Sequence, residues 1–229
     1  DPSEVVDCVA CHNSATIHKD SVVMPSGIEL TGLGDEARCM ECHQGRQSKL
    51  GVDAIIEELG LEDVDAVSEE LGFQNIHYHA AAATKYGTLA KGGYEYDFDM
   101  YDGNFAHAEG FETCIECHTP HTLELKLDDC ATCHEDVAEV EDLREVRMQG
   151  SMVDYDGDGD VDEGIYYELI GMQEMLYPAI QAYAAEVAGT PIVYGDGYPY
   201  FFIDTDGDGE AADEEVNYGN QYNAWTPRL

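Results

Sequence analysis

Apolar and acidic positions follow a helical period in two stretches of the first half of the chain. In "VDAIIEELG" (52–60) and "DAVSEELG" (65–72) the apolar residues fall three to four positions apart and the acidic residues lie between them. This spacing predicts two short amphipathic helices with solvated acidic faces. The Ala-rich stretch "NIHYHAAAATKYGTLAKG" (75–92) predicts a further helix, with Asn75 as its N-cap.

The last third of the chain has a different pattern. Residues 164–189 predict a long helix that is bent or interrupted at Pro178, and residues 190–204 predict irregular structure or short strands. Met148, Met152, Met172 and Met175 are predicted to be core residues of helical segments. No apolar run approaches the roughly 18 residues that a membrane-spanning helix needs, so no membrane span is expected.

The chain is strongly acidic, with 49 Asp and Glu against 10 Lys and Arg and a formal net charge of −39. Such a surface repels nucleic-acid phosphates and anionic lipid headgroups, so neither is expected as a partner. Two interpretations stay open: a surface solvated for salty or divalent-rich water, or one that attracts a cationic partner.

All eight cysteines belong to one repeated pattern, C-x-x-C-H. It occurs at Cys8, Cys11 and His12, at Cys39, Cys42 and His43, at Cys114, Cys117 and His118, and at Cys130, Cys133 and His134. This pattern attaches c-type haem: the two thiols form thioethers to the vinyl groups of one porphyrin, and the histidine binds the iron. A single copy would also suit a zinc site or a redox-active cysteine pair, but four copies that use every cysteine favour four haems.

The expected fold is therefore a multihaem cytochrome c, in which short α-helices and coil with little β-structure wrap around four covalent haems. Residues 1–149 are predicted to form the tetrahaem domain, and residues 150–229 a helical and aromatic region. Only eleven residues separate His118 from Cys130, which predicts that the third and fourth haems are close. Covalent haem attachment takes place outside the cytoplasm, so an extracellular or cell-surface location is expected. The start at Asp1 is interpreted as a mature form whose signal peptide has been removed.

Five histidines remain for the sixth position of four irons: His18, His77, His79, His107 and His121. The predicted distal ligands are His18, His77, His107 and His121, with His79 as a substitute, and methionine is the alternative. His121 follows a proximal histidine by only three residues, so it is expected to bind the iron of a neighbouring haem. His18 lies near one end of the chain and is the best candidate to bind a haem elsewhere, including one in another subunit.

Two acidic stretches match the D-x-D-x-D-G start of a calcium loop. The first supplies Asp154, Asp156, Asp158, Asp160 and Glu163, and the second supplies Asp204, Asp206, Asp208, Glu210 and Glu215. Glu215 stands at the twelfth position, where a bidentate glutamate is expected. The first loop has Ile165 there, so Glu163 or Glu168 would have to substitute. Two structural calcium ions are predicted, and acidic surface turns are the alternative.

The segments "NIHYHAAAATKYGTLAKGGYEY", "CIECHTPHTLEL", "DYDGDGDVDEGIYYEL" and "YNAWTPRL" occur in this order from residue 75 onward. Together they resemble multihaem c-type cytochromes of the extracellular electron-transfer type, which include tetrahaem and hexahaem members that polymerise into outer-surface filaments, or nanowires. The resemblance implies that His77 and His121 are distal ligands and that His18 binds a haem of the adjacent subunit. Members of this family often continue beyond the segment that ends here at Leu229, so anchoring is left open.

The expected function is extracellular electron transfer through four closely spaced bis-His haems, as the repeating subunit of a filament. The expected partners are further copies of this chain and redox proteins or extracellular acceptors. A non-polymeric tetrahaem shuttle is the first alternative. The second is a multihaem reductase, which would need an open iron position, and the presence of four complete motifs argues against such an enzyme. A calcium-binding adhesion module would leave the commitment of every cysteine unexplained.

Overall fold

The computed structural model describes residues 7–77, 79–96, 99–104 and 106–229. Every predicted haem and calcium residue lies within these ranges. The chain divides into two compact units. Unit 1 comprises Asp1–Ala54 and Gln74–Lys126, and unit 2 comprises Ile55–Phe73 and Leu127–Leu229.

The elements are short apart from one helix. The helices are α1 (Cys8–Cys11), α2 (Ala37–His43), α3 (Lys49–Glu58), α4 (Ala81–Ala90), α5 (Cys114–Cys117), α6 (Leu127–Cys130) and α7 (Ile165–Glu186). The strands are β1 (Ser21–Val23), β2 (Glu29–Thr31), β3 (Ile192–Tyr194) and β4 (Phe201–Ile203). β1 pairs with β2 and β3 pairs with β4, both antiparallel. Short 3-10 turns cover Gly34–Glu36, Val140–Glu145 and Tyr218–Asn220.

The core of unit 1 is small and made mostly of short side chains. Its buried members come from the β1–β2 hairpin, α2 and α4: Val22, Met24, Leu33, Ala37, Met40, Ala82, Ala83 and Ala90. Three alanines of α4 are buried because the absence of a larger side chain lets that helix lie close to its neighbours. A core of this size leaves the haem-motif elements α1 and α5 without a fully buried residue.

Unit 2 has an aromatic core around the β3–β4 hairpin. Its buried members are Leu71, Ala184, Ile192, Tyr222, Ala224 and Trp225. Phe201 lies edge-on to Trp225 at 5.5 Å between ring centres, an arrangement that aromatic pairs favour. Trp225 also donates its indole N–H to the carbonyl of Tyr222 at 3.0 Å, so its polar group is satisfied inside the core.

The two units differ from the predicted division at residues 149 and 150. Ile55, Ile56 and Leu59 pack against the aromatic core, and therefore the segment 55–73 belongs with the carboxyl-terminal region. The fourth haem motif, which begins at Cys130, also belongs to unit 2. Composition groups this motif with the other three, whereas the contacts of the chain place it in the same unit as the two aspartate loops.

Several predicted elements are found, and others are not. The helix expected over 52–60 is α3, but residues 65–72 form turns and irregular structure because Leu71 is drawn into the aromatic core. The helix expected from Asn75 begins only at Ala81, and Asn75 instead accepts the backbone N–H of His77 at 2.7 Å. The long helix α7 continues through Pro178 without interruption. The predicted strands of residues 190–204 are β3 and β4.

The methionines differ from expectation too. Met148 and Met152 lie outside any helix and are 78% and 67% exposed, and Met175 lies on α7 but is 53% exposed. They are therefore not core residues. Among the described residues, no helix is long and apolar enough to span a lipid bilayer.

Asp65 is expected to stabilise unit 2 only where its carboxyl is ionised. The carboxylate accepts hydrogen bonds from Arg228 Nε at 2.7 Å and from Tyr183 Oη at 2.8 Å. These bonds, that from Arg228 first, hold the pKa of Asp65 below its usual value. A group whose pKa is lowered by folding stabilises the folded chain above its unfolded pKa of about 3.9, and this contribution is lost as pH falls through the folded pKa.

Urea unfolding of an Asp65→Asn variant from about pH 7 down to about pH 3 measures this effect. We expect a lower unfolding midpoint than that of the parent protein at neutral pH, and a difference that shrinks below about pH 4. Glu69→Gln removes an equal charge from an exposed position on the same segment and should not change the midpoint. A deficit for Asp65→Asn that is constant with pH would contradict the assignment.

Candidate functional site

The four C-x-x-C-H motifs begin in helical turns. α1 and α5 each run from the first to the second cysteine of a motif, and α2 contains the whole second motif and ends at His43. The fourth motif starts at Cys130, the last residue of α6, and continues as a turn to His134. All eight cysteines are free thiols that are exposed or half-buried. Their sulfur atoms are therefore not committed to disulfides.

Two pairs of histidines from distant parts of unit 1 face each other. The rings of His12 and His121 have centres 6.2 Å apart and planes inclined by 26°. The rings of His43 and His79 have centres 6.5 Å apart and planes inclined by 75°. All four residues are exposed, so the pairs are not part of an apolar core. In each pair one histidine closes a C-x-x-C-H motif and the other belongs to the set of spare histidines.

These separations match those of two ligands on one metal ion. Metal–imidazole bonds are about 2.0 Å long and the ring centre lies about 1.1 Å beyond the nitrogen, so two imidazoles on opposite sides of a metal ion have centres about 6.2 Å apart. Bis-histidine haem fits the separation of His12 and His121, because it places one proximal and one distal ring on a single iron. The ring of His79 lies on the Nδ1 side of His43, whose Nδ1 contacts the His79 carbonyl, so His79 would have to turn to the other face of an iron bound at His43 Nε2. The first pair therefore fits the group that the motifs predict.

The pairing of His43 with His79 depends on a close backbone approach just after α2. Gly45 has φ of +85°, and a Cβ there would lie 2.9 Å from Ile76 Cγ1, so only glycine fits without a shift. The N–H of Arg46 then donates to the carbonyl of Ile76 at 2.9 Å. His77 and His79 follow with φ of 79° and 53°, which is rare for residues other than glycine and is typical of functional positions.

The helix predicted from Asn75 would contain both His77 and His79, and this is wrong because α4 begins only at Ala81. His79, the predicted substitute, is the residue that faces His43. Its own carbonyl accepts a hydrogen bond from His43 Nδ1 at 2.8 Å. The sequence alone could not find this choice, because the two histidines are only two residues apart and the turn before α4 decides which of them lies beside His43.

A small hairpin positions His121. His118 and Leu125 form a β-bridge, and Lys126 donates its N–H to the carbonyl of Cys117 at 2.9 Å. His121 lies in the turn of this hairpin, which explains how it points away from its own motif after only three residues. Its ring lies 6.2 Å from that of His12, the histidine of the first motif, and therefore next to a motif other than its own.

Two proximal histidines have the tautomer that a metal requires. His43 Nδ1 lies 2.8 Å from the carbonyl of His79, and His118 Nδ1 lies 3.0 Å from the carbonyl of Leu123. A carbonyl can only accept, so in each ring Nδ1 carries the proton and Nε2 keeps its lone pair. Backbone carbonyls orient metal-binding histidines in this way in many proteins.

The spare histidines His18 and His107 are exposed, and His77 is half-buried. The ring of His107 lies 6.3 Å from that of Phe111, just before the third motif. Apolar side chains near the motifs are also exposed: Val9 is 60% exposed and Leu123 is 62% exposed. Apolar surface next to a small core is what a bound porphyrin would cover.

The second and third motifs meet at a buried carboxylate. Glu36 is only 3% exposed and accepts from both Lys85 Nζ, at 2.7 and 2.8 Å, and Tyr86 Oη, at 2.6 Å. It also accepts the N–H of Cys114 at 3.1 Å. Burial opposes ionisation, but the hydrogen bonds from Lys85, Tyr86 and Cys114 outweigh it and hold the pKa of Glu36 below its usual value.

The first cysteines of these two motifs lie side by side. A hydrogen bond between the two thiols lowers the pKa of Cys39 to about 6. The same bond, together with burial and the charge of Glu36, raises the pKa of Cys114. Groups attached at these two sulfurs would therefore be held next to each other. Neither Glu36 nor this contact has a sequence signal, because Glu36 is one acidic residue among 49.

The two aspartate loops of unit 2 have the same internal hydrogen bonds. In the first, Asp154 accepts from the N–H groups of Gly157 at 2.5 Å and Gly159 at 3.0 Å. In the second, Asp204 accepts from Gly207 at 2.6 Å and Gly209 at 3.0 Å. Equal turn geometry directs alternate carboxylates to one side, as a calcium loop requires. Asp156 and Asp206 each come within 4.8 Å of two other carboxylate ligand atoms.

A buried glutamate closes each loop. Glu215 accepts the N–H of Thr205 at 2.5 Å, and Glu168 accepts the N–H of Tyr155 at 2.6 Å. Both donors are the second residue of their loop, so Glu168 and Glu215 have equivalent roles. Glu168 therefore replaces the glutamate expected at the twelfth position, although it lies three residues further along the chain. The sequence analysis counted Glu163 among the ligands and named Glu168 only as an alternative for the twelfth position, because the first turn of α7 decides which side chain turns back to the loop.

The first loop differs in having a basic partner. Glu168 is fully buried and forms an ion pair with Arg147 at 2.5 Å. Burial raises its pKa, but hydrogen bonds from Arg147 and from the N–H groups of Tyr155 and Asp156 outweigh burial and lower it. Glu163 contributes a buried Oε1 with no hydrogen-bond partner within the described ranges. Burial first, and then the charges of Asp158 and Asp156, raise the pKa of Glu163. A cation would satisfy this oxygen.

The chain was compared with models of known protein families, with curated proteins and with solved structures, and none of these comparisons found a match.

Proposed function

We propose that this protein is a multihaem c-type cytochrome that transfers electrons through four bis-histidine haems. The observation that carries this proposal is the pairing of His12 with His121 at the separation of two axial ligands. This pair joins the histidine of a C-x-x-C-H motif to a spare histidine from elsewhere in unit 1. The C-x-x-C-H pattern and the distance between the two histidine rings are independent features, and both support a haem with two histidine ligands.

The first pair supports a ligand assignment for one of the four irons: the haem attached at Cys8 and Cys11 would take His12 and His121. His79 is proposed as the distal ligand of the haem attached at Cys39 and Cys42, because it lies beside His43, and its side chain would have to turn to the other face of that iron. The third and fourth take His118 and His134 as proximal ligands, and His18, His77 and His107 remain for their distal positions. Iron with two histidine ligands has no open position, so the arrangement favours electron transfer over substrate chemistry and argues against a reductase.

The haem supplies the one-electron chemistry, and the chain supplies spacing, ligands and surroundings. The hydrogen bond from the N–H of Cys114 to Glu36, the residue just before α2, supports a short path from the second haem to the third. Two calcium ions belong to the same proposal. One would be bound by Asp204, Asp206 and Glu215, and the other by the first loop with Glu163 and Glu168.

The polymeric form rests on His18. Its ring is exposed within a segment that follows the first motif, so it is accessible to another copy of the chain. We expect His18→Ala to keep all four haems and to lose filaments under electron microscopy. Long filaments from this variant would reject ligation across subunits by His18. Because each subunit carries a charge of −39, chelator or low salt should loosen the polymer.

Haem content and spin state of the native protein test the central proposal. Mass spectrometry should find four covalent haems on one chain. Electron paramagnetic resonance of the oxidised protein should show low-spin iron throughout. Fewer than four haems would contradict the motif assignment. A stoichiometric high-spin signal would contradict bis-histidine ligation and would favour the reductase.

A further inference from the structure

Glu36 connects three elements that bear on the second and third haem sites. It is the residue just before α2, which carries the second motif. Its carboxylate binds Lys85 and Tyr86 on α4, the helix that follows His79. It also accepts from the backbone N–H of Cys114, the first residue of α5 and of the third motif. A single side chain therefore joins both motifs to the segment that positions His79.

The carboxylate also lies against an attachment sulfur. Glu36 Oε2 is 3.5 Å from Cys114 Sγ, where the thioether of the third haem would form. The charge is buried, since the Glu36 side chain is 3% exposed, whereas its partner Lys85 is 22% exposed. Charges in the interior are screened less than charges near water. The negative end of this ion pair therefore dominates the field at the sulfur.

We propose that the Glu36–Lys85 ion pair lowers the reduction potential of the haem attached at Cys114 by placing a buried negative charge beside its thioether. This inference rests on the proposed function. A nearby negative charge stabilises the oxidised, more positive iron relative to the reduced iron. Glu36 is a positioning residue, because it acts on the haem through Cys114 and does not touch the iron.

Two variants of the ion pair should move the potential in opposite directions. Glu36→Gln keeps the side-chain shape and removes the negative charge. It should raise the reduction potential of the third haem. The expected change is about tenfold in the ratio of reduced to oxidised iron, which corresponds to about 59 mV for one electron. Lys85→Met removes the partly screened positive charge and should lower the same potential, by about threefold in that ratio. A purely structural role would not produce opposite signs.

The measurement is a spectroscopic redox titration of the purified holoprotein, which resolves the four midpoint potentials. Glu29→Gln is the matched control, because Glu29 lies on β2 of the same unit and is exposed. Its four potentials should equal those of the parent protein. Tyr86→Phe removes one hydrogen bond from Glu36 without changing any charge, and it should shift the potential far less than Glu36→Gln does.

The outcomes separate this inference from the proposed function. If the parent protein lacks four low-spin haems, the proposed function fails first. If the parent has them, and Glu36→Gln leaves all four potentials unchanged or shifts one downward, only the inference is overturned. Should Glu36→Gln fail to mature, Lys85→Met decides alone: a lowered potential supports the inference, and an unchanged or raised potential overturns it.

Discussion

Replacing His121 or His79 by alanine is expected to convert one of the four haems from low spin to high spin. His121 faces His12 at the separation of two axial ligands, and His79 is the spare histidine beside His43, so each substitution removes a proposed distal ligand. The iron then has an open position that binds carbon monoxide when reduced. Each single variant should take up one equivalent of carbon monoxide per chain, and the double variant should take up two, because the two histidines serve different irons.

Three further measurements test whether the loss of an axial ligand causes the change in spin state. Thr122→Ala changes an exposed residue of the same hairpin as His121 and should keep four low-spin haems. Free imidazole should restore the low-spin spectrum of each alanine variant by filling the vacated position. His121→Met should stay low-spin and raise the potential of one haem, as histidine–methionine ligation does. Four low-spin haems in both alanine variants would refute the ligand pairs, and a single equivalent in the double variant would refute their separation.

Removal of calcium is expected to destabilise unit 2, and the second loop should account for most of the effect. Glu215 is buried, and its carboxylate already holds the loop through Thr205 and Ala212. Calcium at about 100 times its dissociation constant adds roughly 2.7 kcal/mol to the free energy of unfolding. Thermal unfolding with calcium and with chelator should therefore differ clearly for the parent protein. The difference should be largely lost in Glu215→Gln.

A matched variant isolates calcium binding from charge. Glu214→Gln removes the same charge from the adjacent, exposed position and should keep the full calcium response. Calorimetric titration of the calcium-free protein should show two unequal sites, with the first loop weaker because Arg147 already neutralises Glu168. Equal loss of the response in both variants would indicate that calcium acts only by screening the charge of −39.

Local motifs could be predicted from the sequence because their chemistry lies within a few consecutive residues. The C-x-x-C-H pattern needs one turn of helix, and α1, α2 and α5 provide it. The D-x-D-x-D-G loops fold through hydrogen bonds between residues two to five positions apart, so both loops adopt the expected form. The β3–β4 hairpin is likewise local, and aromatic residues on short strands favour it.

Helix boundaries were less predictable. Residues 65–72 have a helical pattern, yet the burial of Leu71 in the aromatic core outweighs the small free energy of a short helix. Asn75 has the side chain of an N-cap but closes a turn at His77 instead. In both cases local propensity is a weak preference that contacts with distant residues override.

By itself, therefore, the sequence determined the positions of the four C-x-x-C-H motifs, the form of the two aspartate loops and how strongly acidic the chain is. Only the tertiary structure decided which spare histidine meets which motif, and it selected His79 over His77. It also decided that Glu168 closes the first loop and that Glu36 lies beside Cys114. The physical reason is that ligand pairs and buried ion pairs depend on distances between residues far apart in the chain, and these distances are set by how helices and turns pack.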